Sequence, residues 1–231
     1  MKKKLLFLLF LMIVASLDVI GIDKLRINAN VALSADDPNE DARFIEDDPN
    51  GRNVNSGVPP EWIEAVIREE LMMFPIPQSV MHPEYQASFE DSWMSERTFG
   101  GERGHEGTDI MLNPDVRGLF PVLSMTDGVV EKKGWLPKGG YRLGIRSSGG
   151  IYYYYAHFYD YAEGIEPGTN VVAGQFLGFA GDSGYSNIEG TVGNFPVHLH
   201  IGIYYDDEEG IETPVNPYPF LASLEKKRLD Y

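Results

Sequence analysis

Histidine is the side chain best suited to binding a metal ion and to moving a proton near neutral pH, and this chain contains only five of them. His82 stands alone in a Met-His-Pro tripeptide and is predicted to lie in a loop. The other four fall in three short blocks, Gly-His105-Glu-Gly-Thr-Asp109, Tyr-Ala-His157-Phe and Val-His198-Leu-His200. Histidines scattered through a core would not be expected to cluster in this way, so the blocks are candidates for chemistry.

The spacing within the blocks favours a metal site. His198 and His200 are two residues apart and would project from the same face of a strand. His105 and Asp109 would share a face in an extended segment, and the glycines around them disfavour a helix. Two imidazole nitrogens and one carboxylate oxygen fill three corners of a tetrahedral zinc site and leave the fourth for water or substrate. From the residues alone, a catalytic metal site and purely structural histidines both stay open.

Composition narrows the choice of chemistry. The 231 residues contain no Cys, which excludes disulfides, thiolate ligands and cysteine nucleophiles, so a bound metal must use His and carboxylates. With 19 Lys and Arg against 35 Asp and Glu, the net charge of -16 repels polyanions, and no nucleic-acid partner is expected. The length suits one domain of about 150 residues with extensions.

The N-terminus has the pattern of an export signal. Met1 and three lysines precede the uncharged apolar stretch Leu5–Ala15, as in a signal peptide. Apolar residues continue to Ile22, interrupted by Asp18, which approaches the length of about 20 residues needed for a membrane span. We therefore assign residues 1–35 to a signal peptide or an uncleaved membrane anchor and expect an exported protein, either extracellular or anchored.

Two further segments precede the main domain. Residues 36–60 are acidic and rich in Pro, Gly and Asn, which is typical of a solvated linker. Residues 61–78 are predicted to contain a helix that runs from Pro60 to about Phe74 and packs on the domain, with Trp62 in the core. Its apolar residues at helical spacing are Trp62, Ile63, Val66, Ile67 and Leu71.

Residues 79–224 change to short runs of period two separated by glycines. Such runs predict an antiparallel sheet or sandwich. Four consecutive tyrosines at 152–155 would alternate between the two faces of one strand and are interpreted as packing residues. Residues 225–231 are predicted to be a solvated, charged tail.

The three histidine blocks resemble the signature of the M23 metallopeptidases, the lysostaphin type of peptidoglycan endopeptidase. The resemblance extends from about Phe74 to Leu224. The run 168–178 is similar to the family's G-x-x-V-x-x-G-Q-x-I-G segment, with Leu177 in place of Ile. Finer features are similar to a Gram-positive subgroup that includes the sporulation L-Ala–D-Glu endopeptidase: Gly134-Trp135, Gly139–Arg142, Gly184-Tyr185 and Phe195–His198.

The resemblance implies a mainly β fold of the lysostaphin type, a duplicated hybrid motif with an N-terminal helix. It implies Zn²⁺ bound by His105, Asp109 and His200, with His157 and His198 as the unliganded catalytic pair; their individual roles stay open. Glu106 invites a general-base role by analogy with H-E-x-x-H. We reject that role because the second His is missing and Glu106 would face away from His105 in a strand, as a solvated side chain.

The resulting hypothesis is an exported, monomeric zinc endopeptidase acting on the stem peptides or cross-bridges of bacterial peptidoglycan, with the L-Ala–D-Glu bond favoured. The alternative is a catalytically silent wall-binding or regulatory member of the same fold. An insertion at 186–197, before the last histidine block, has a Gly and Asn content that favours a mobile wall or lid of the substrate groove.

Overall fold

The computed structural model describes residues 56–231. The predicted export segment, residues 1–35, and the linker up to residue 55 lie outside the described residues. In chain order the elements are α1 (Glu61–Glu70), β1 (Gln86–Ser88), β2 (Glu96–Arg97), β3 (Arg103–Gly104), β4 (Thr108–Asn113), β5 (Pro121–Leu123), β6 (Gly128–Leu136), β7 (Gly140–Arg146), β8 (Tyr152–Ala156), β9 (Phe158–Tyr161), β10 (Asn170–Val171), β11 (Phe176–Ala180), β12 (His198–Asp206), β13 (Glu212–Val215) and α2 (Tyr218–Leu224).

The described strands form a large sheet and two smaller ones. The 8-stranded sheet has the order β1-β4-β12-β8-β7-β6-β10, and β13 also pairs with β12. A 3-stranded sheet has the order β5-β11-β9, and β2 pairs with β3 in a hairpin. All of these strand pairings are antiparallel. The predicted mainly β, antiparallel fold with an N-terminal helix is confirmed.

Helix α1 is shorter than predicted and turns a different face to the core. It ends at Glu70 because Leu71 has an extended backbone, and the amides of Met72 and Phe74 donate to Met125 and Lys227 instead of continuing the helix. Ile63 is buried, as is its i+4 neighbour Ile67. The prediction that Trp62 lies in the core is wrong: it is 61% exposed. Trp62 lies about 100° around the helix from Ile63 and farther still from Ile67, which both pack on the core.

The run of tyrosines in β8 anchors the centre of the large sheet. Tyr153 and Tyr155 are fully buried in the core, and the Tyr155 hydroxyl accepts the Met125 N–H at 2.9 Å. Tyr154 projects from the other face, where its ring contacts His200. The predicted alternation across the strand is confirmed. Because β8 is hydrogen-bonded to β12, this packing also fixes the strand that carries the last histidine block.

The C-terminal segment closes the domain. Helix α2 buries Phe220, Leu221 and Leu224. The tail after it, expected to be solvated, pairs with the chain ahead of β1, since the Gln78 amide donates to the Leu229 carbonyl at 2.7 Å. Between residues 56 and 231, neither helix is long and apolar enough to cross a bilayer.

Candidate metal centre

The sheet brings the first and last histidine blocks together. In the antiparallel pairing of β12 with β4, His200 lies directly opposite Asp109. His198 and His200 are two residues apart on β12, so they share the face of the sheet from which Asp109 projects. Two of the predicted ligands are therefore placed by the strand register.

His105 reaches the same point from a turn between β3 and β4. Its Nδ1 lies 3.0 Å from the Ser92 hydroxyl, which leaves Nε2 to face the sheet. Gly107, at the end of this turn, is packed against the imidazole of His200, and a Cβ at that position would overlap the ring. A glycine is needed here because the backbone passes so close to the side chain.

Three side-chain atoms converge at this site. His105 Nε2 is 3.1 Å from Asp109 Oδ1, and His200 Nδ1 is 2.9 Å from the same oxygen. The two ring nitrogens are 3.0 Å apart. These two imidazole nitrogens and the carboxylate oxygen are close enough together to hold one metal ion. Such a set of ligand atoms suits a divalent cation that prefers nitrogen ligands.

The protonation states also suit metal binding. Burial raises the pKa of Asp109, but hydrogen bonds from His105 and His200 outweigh it and hold that pKa well below its usual range. Burial lowers the pKa of His200 to about 4, against the opposing attraction of Asp109. At neutral pH the carboxylate is ionised and this imidazole is neutral, as ligands must be.

A guanidinium supports the carboxylate from the other side. Arg97 Nη2 donates to Asp109 Oδ2 at 2.9 Å, and its Nη1 donates to the Ser95 hydroxyl at 2.8 Å. Asp109 therefore turns Oδ1 toward the histidines. Arg97 and Ser92 were missed in the sequence because they lie 12 and 13 residues before their partners, with no periodic relation to them.

The two other histidines lie beside the three converging side chains. The rings of His157 and His198 are 4.6 Å apart, and His198 Nε2 is 3.8 Å from Asp109 Oδ1. His157 Nδ1 is 2.7 Å from the Ser183 carbonyl, and His198 Nδ1 is 2.8 Å from the Pro196 carbonyl. A carbonyl only accepts hydrogen bonds, so each Nδ1 carries a proton, and in the neutral ring the lone pair is on Nε2. Burial lowers the pKa of His157 well below its ordinary value.

Glu106 contributes no atom to the three that converge. It lies in the turn before β4 and is partly buried, where a solvated side chain was expected, and this burial raises the pKa of its carboxyl group. Residues 105–107 belong to neither β3 nor β4, so the strand geometry assumed for Glu106 does not apply at this position.

A row of aromatic rings borders the two histidines. Phe195 packs at 4.7 Å from His157 and 5.0 Å from His198. Tyr185 lies 4.8 Å from Phe195 and stacks on Phe99 at 5.1 Å. The insertion at 186–197 thus forms one wall of the site. Its backbone is held at both ends, since Ser186 N donates to the Pro137 carbonyl and Val197 N donates to Asp115.

Comparisons with known proteins agree with this geometry. The model of the family described as Peptidase family M23 matches residues 103–217. The L-Ala–D-Glu endopeptidase of Bacillus subtilis strain 168 is 44% identical over 153 residues, which are 66% of this chain and 44% of that protein. Lysostaphin of Staphylococcus simulans is 29% identical over 121 residues, 52% of this chain and 22% of that protein.

Among solved structures, one from Ruminococcus gnavus, described as a candidate glycyl-glycine endopeptidase LytM, has a TM-score of 0.66 and 54% identity. The match covers 71% of this chain and 64% of that one. The chain spans less than half the length of the curated relatives named above.

The family match and the intact His105–Asp109–His200 group together identify the chain as a metallopeptidase. The chain belongs to peptidase family M23. This confirms the family, and with it the lysostaphin-type fold, that the histidine blocks predicted.

Proposed function

We propose that this protein is an exported zinc endopeptidase that hydrolyses peptide bonds of bacterial peptidoglycan, and that its preferred target is the L-Ala–D-Glu bond of the stem peptide. The observation that carries the proposal is the convergence of His105, Asp109 and His200 on one point, with two further imidazoles beside it. The preference for L-Ala–D-Glu is supported by the 44% identity to the Bacillus subtilis enzyme of that name, against 29% to lysostaphin.

In this proposal His105, Asp109 and His200 hold the zinc ion. Bound zinc supplies an activated water, with its pKa lowered to about 7, and a positive charge that polarises the substrate carbonyl. The protein's contribution is to keep the ligands in place. Arg97 orients the Asp109 carboxylate, and Ser92 fixes the His105 ring so that its Nε2 faces the metal.

In this proposal His157 and His198 carry out the proton transfers. Each has its Nδ1 proton directed at a backbone carbonyl, so a lone pair on Nε2 is ready to take a proton from the attacking water. The imidazolium formed in that step presents an N–H to the anionic intermediate and then gives its proton to the leaving amine. The depressed pKa of His157 keeps its ring neutral, so the Nε2 lone pair is available before the reaction begins.

The rest of the assignment follows the sequence. Residues 1–35 direct export, residues 36–60 form a linker, and residues 79–224 are the catalytic domain, which we propose acts as a monomer on the wall outside the cytoplasm. A catalytically silent wall-binding or regulatory homologue would be expected to lack a ligand side chain. His105, Asp109 and His200 are all present, and so are both additional histidines.

Mass spectrometry of defined muropeptides tests the proposal. The purified protein is measured for zinc by elemental analysis and incubated with N-acetylmuramoyl-L-Ala-D-Glu-L-Lys and with a cross-linked dimer. We expect stoichiometric zinc and release of N-acetylmuramoyl-L-Ala. Cleavage confined to the cross-link would contradict the bond assignment, and zinc without cleavage of either compound would favour the silent homologue.

A further inference from the structure

A cavity of about 760 Å³ adjoins the metal centre on the side of the insertion. Phe195 lines this cavity and also packs on both non-ligand imidazoles, so one ring separates the two spaces. Val197, another lining residue, immediately precedes His198. The volume falls in the range of about 300–1,000 Å³ that is usual for small-molecule sites.

An exposed aromatic ring forms one wall of the cavity. Tyr159, in β9, is 51% exposed although it lies within the 3-stranded sheet. Gly118 allows the ring to lie against the backbone, since a Cβ there would be 2.9 Å from Tyr159 Cδ1. A half-exposed Tyr ring with a hydroxyl at its tip can pack on the C–H face of a sugar while it donates to a polar group.

Polar side chains held by hydrogen bonds line another part of the cavity. The Arg117 Nε donates to Asp182 Oδ1 at 2.5 Å, and the arginine side chain is 43% exposed, so the rest of its guanidinium borders the open space. Asp182 Oδ2 accepts the Gly193 N–H at 2.9 Å, and Asp115 accepts the Val197 N–H at 2.7 Å. The segment 193–197 is thus held on both sides, and the cavity is preformed.

We propose that this cavity binds the N-acetylmuramoyl sugar to which the stem peptide is attached. The inference rests on the proposed L-Ala–D-Glu specificity. The L-Ala nitrogen is acylated by the lactyl group of that sugar, so only one residue and the lactyl group separate the sugar ring from the reacting carbonyl, about 7 Å of extended chain. A protein cutting this bond must therefore accommodate the sugar immediately beside its catalytic imidazoles.

The chemistry of the walls suits such an occupant. The pyranose ring packs on Tyr159, and the lactyl carbonyl and acetamido group accept hydrogen bonds from the Arg117 guanidinium. Asp115 and Asn194, which are both exposed to the cavity, can accept bonds from the sugar hydroxyls. The occupant is thus a neutral amino sugar with its lactyl peptide.

Two substrates that differ only in the sugar test this inference. N-acetylmuramoyl-L-Ala-D-Glu-L-Lys is compared with D-lactoyl-L-Ala-D-Glu-L-Lys, which keeps the lactyl group, by measuring kcat/KM. We expect kcat/KM to be about tenfold higher for the muramoyl compound. Tyr159→Ala loses one aromatic contact and should remove most of that preference. Tyr159→Phe keeps the ring and should restore the preference. Trp62→Ala, which removes an exposed ring on α1, outside the cavity lining, is the matched control and should keep the full preference.

Binding measurements separate this inference from the proposed function. The dissociation constants of both compounds are measured by calorimetry with His198→Ala, alone and combined with Tyr159→Ala. If the L-Ala–D-Glu bond is cut equally well in both compounds and Tyr159→Ala changes nothing, the sugar site is wrong while the function holds. If neither compound is cut, the function is wrong. In that case the sugar site is supported only if His198→Ala binds the muramoyl compound more tightly than the other compound and the added Tyr159→Ala abolishes the difference. Equal dissociation constants for the two compounds overturn it.

Discussion

His200 Nδ1 lies 2.9 Å from Asp109 Oδ1, and the two residues are direct register partners in β12 and β4. The backbones that carry them are hydrogen-bonded to each other, so the pleat of the sheet sets the distance between the two side chains. His105 comes from a turn instead and depends on Ser92 for its orientation. The centre thus combines two candidate ligands on paired strands with a third that is held by hydrogen bonds to the segment before β3.

The two histidines of the last block are expected to respond differently to truncation. His200→Ala removes a converging nitrogen and should lose both zinc and activity. His198→Ala should keep stoichiometric zinc and lose activity by a factor of about 10²–10⁴, the usual contribution of a proton-transfer group. Elemental analysis after dialysis and a muropeptide assay measure both properties. Equal loss of zinc in the two variants would contradict the division between ligands and proton carriers.

Local patterns in the sequence account for part of this centre. The His198–His200 spacing predicted that these two side chains share a face of a strand. The expectation of a shared extended face for His105 and Asp109 is wrong, because His105 lies between β3 and β4. The pairing of His200 with Asp109 depends on β4 and β12 being neighbours although they are 91 residues apart, and no local periodicity encodes strand order. Only the resemblance to the M23 family predicted that the three histidine blocks form one site.

The spacing of residues in the sequence could not predict which side chains contact the candidate ligands and the two further histidines. Arg97 reaches the site from β2, Ser92 from the loop before β2, and Phe195 from an insertion that contains none of the named strands. The misplaced Trp62 has a similar cause, because the four large apolar residues of α1 exceed the width of one face. Which of them is left in solvent depends on the sheet beneath the helix.

Arg97 should affect metal affinity without being a ligand. Arg97→Ala leaves Asp109 Oδ2 without its guanidinium and allows the carboxylate to rotate, so zinc affinity should fall by about 10- to 100-fold, as for other groups that orient ligands. Competition with a chromophoric chelator measures this. Arg68→Ala is the control, since it removes the exposed pair with Glu64 on α1 and should leave zinc affinity unchanged. Equal affinities in both variants would show that Asp109 needs no support.

Gly107→Ala should disrupt the centre through one methyl group. The added Cβ overlaps the His200 ring, which must rotate away from Asp109, so both zinc content and hydrolysis should fall. Gly150→Ala provides the comparison, because that residue has a positive φ of 87° but open space around it. It should lower the melting temperature through backbone strain of about 1 kcal/mol while zinc stays bound. Full zinc in Gly107→Ala would mean that the turn can shift.

The buried Tyr155 should make the fold sensitive to alkali. Burial raises the pKa of its hydroxyl above the ordinary value of about 10, so the unfolded chain releases this proton at a lower pH than the folded one. The resulting stability is fully present below pH 10 and is lost as the pH rises above it.

Tyr155→Phe leaves the buried Met125 N–H without its acceptor and should cost about 1–3 kcal/mol at pH 8. Urea unfolding from pH 8 to 11 should show this difference between the variant and the wild type narrowing above pH 10, because only the wild type has the phenol to ionise. A difference that stays constant over that range would mean that Tyr155 ionises equally easily in both states.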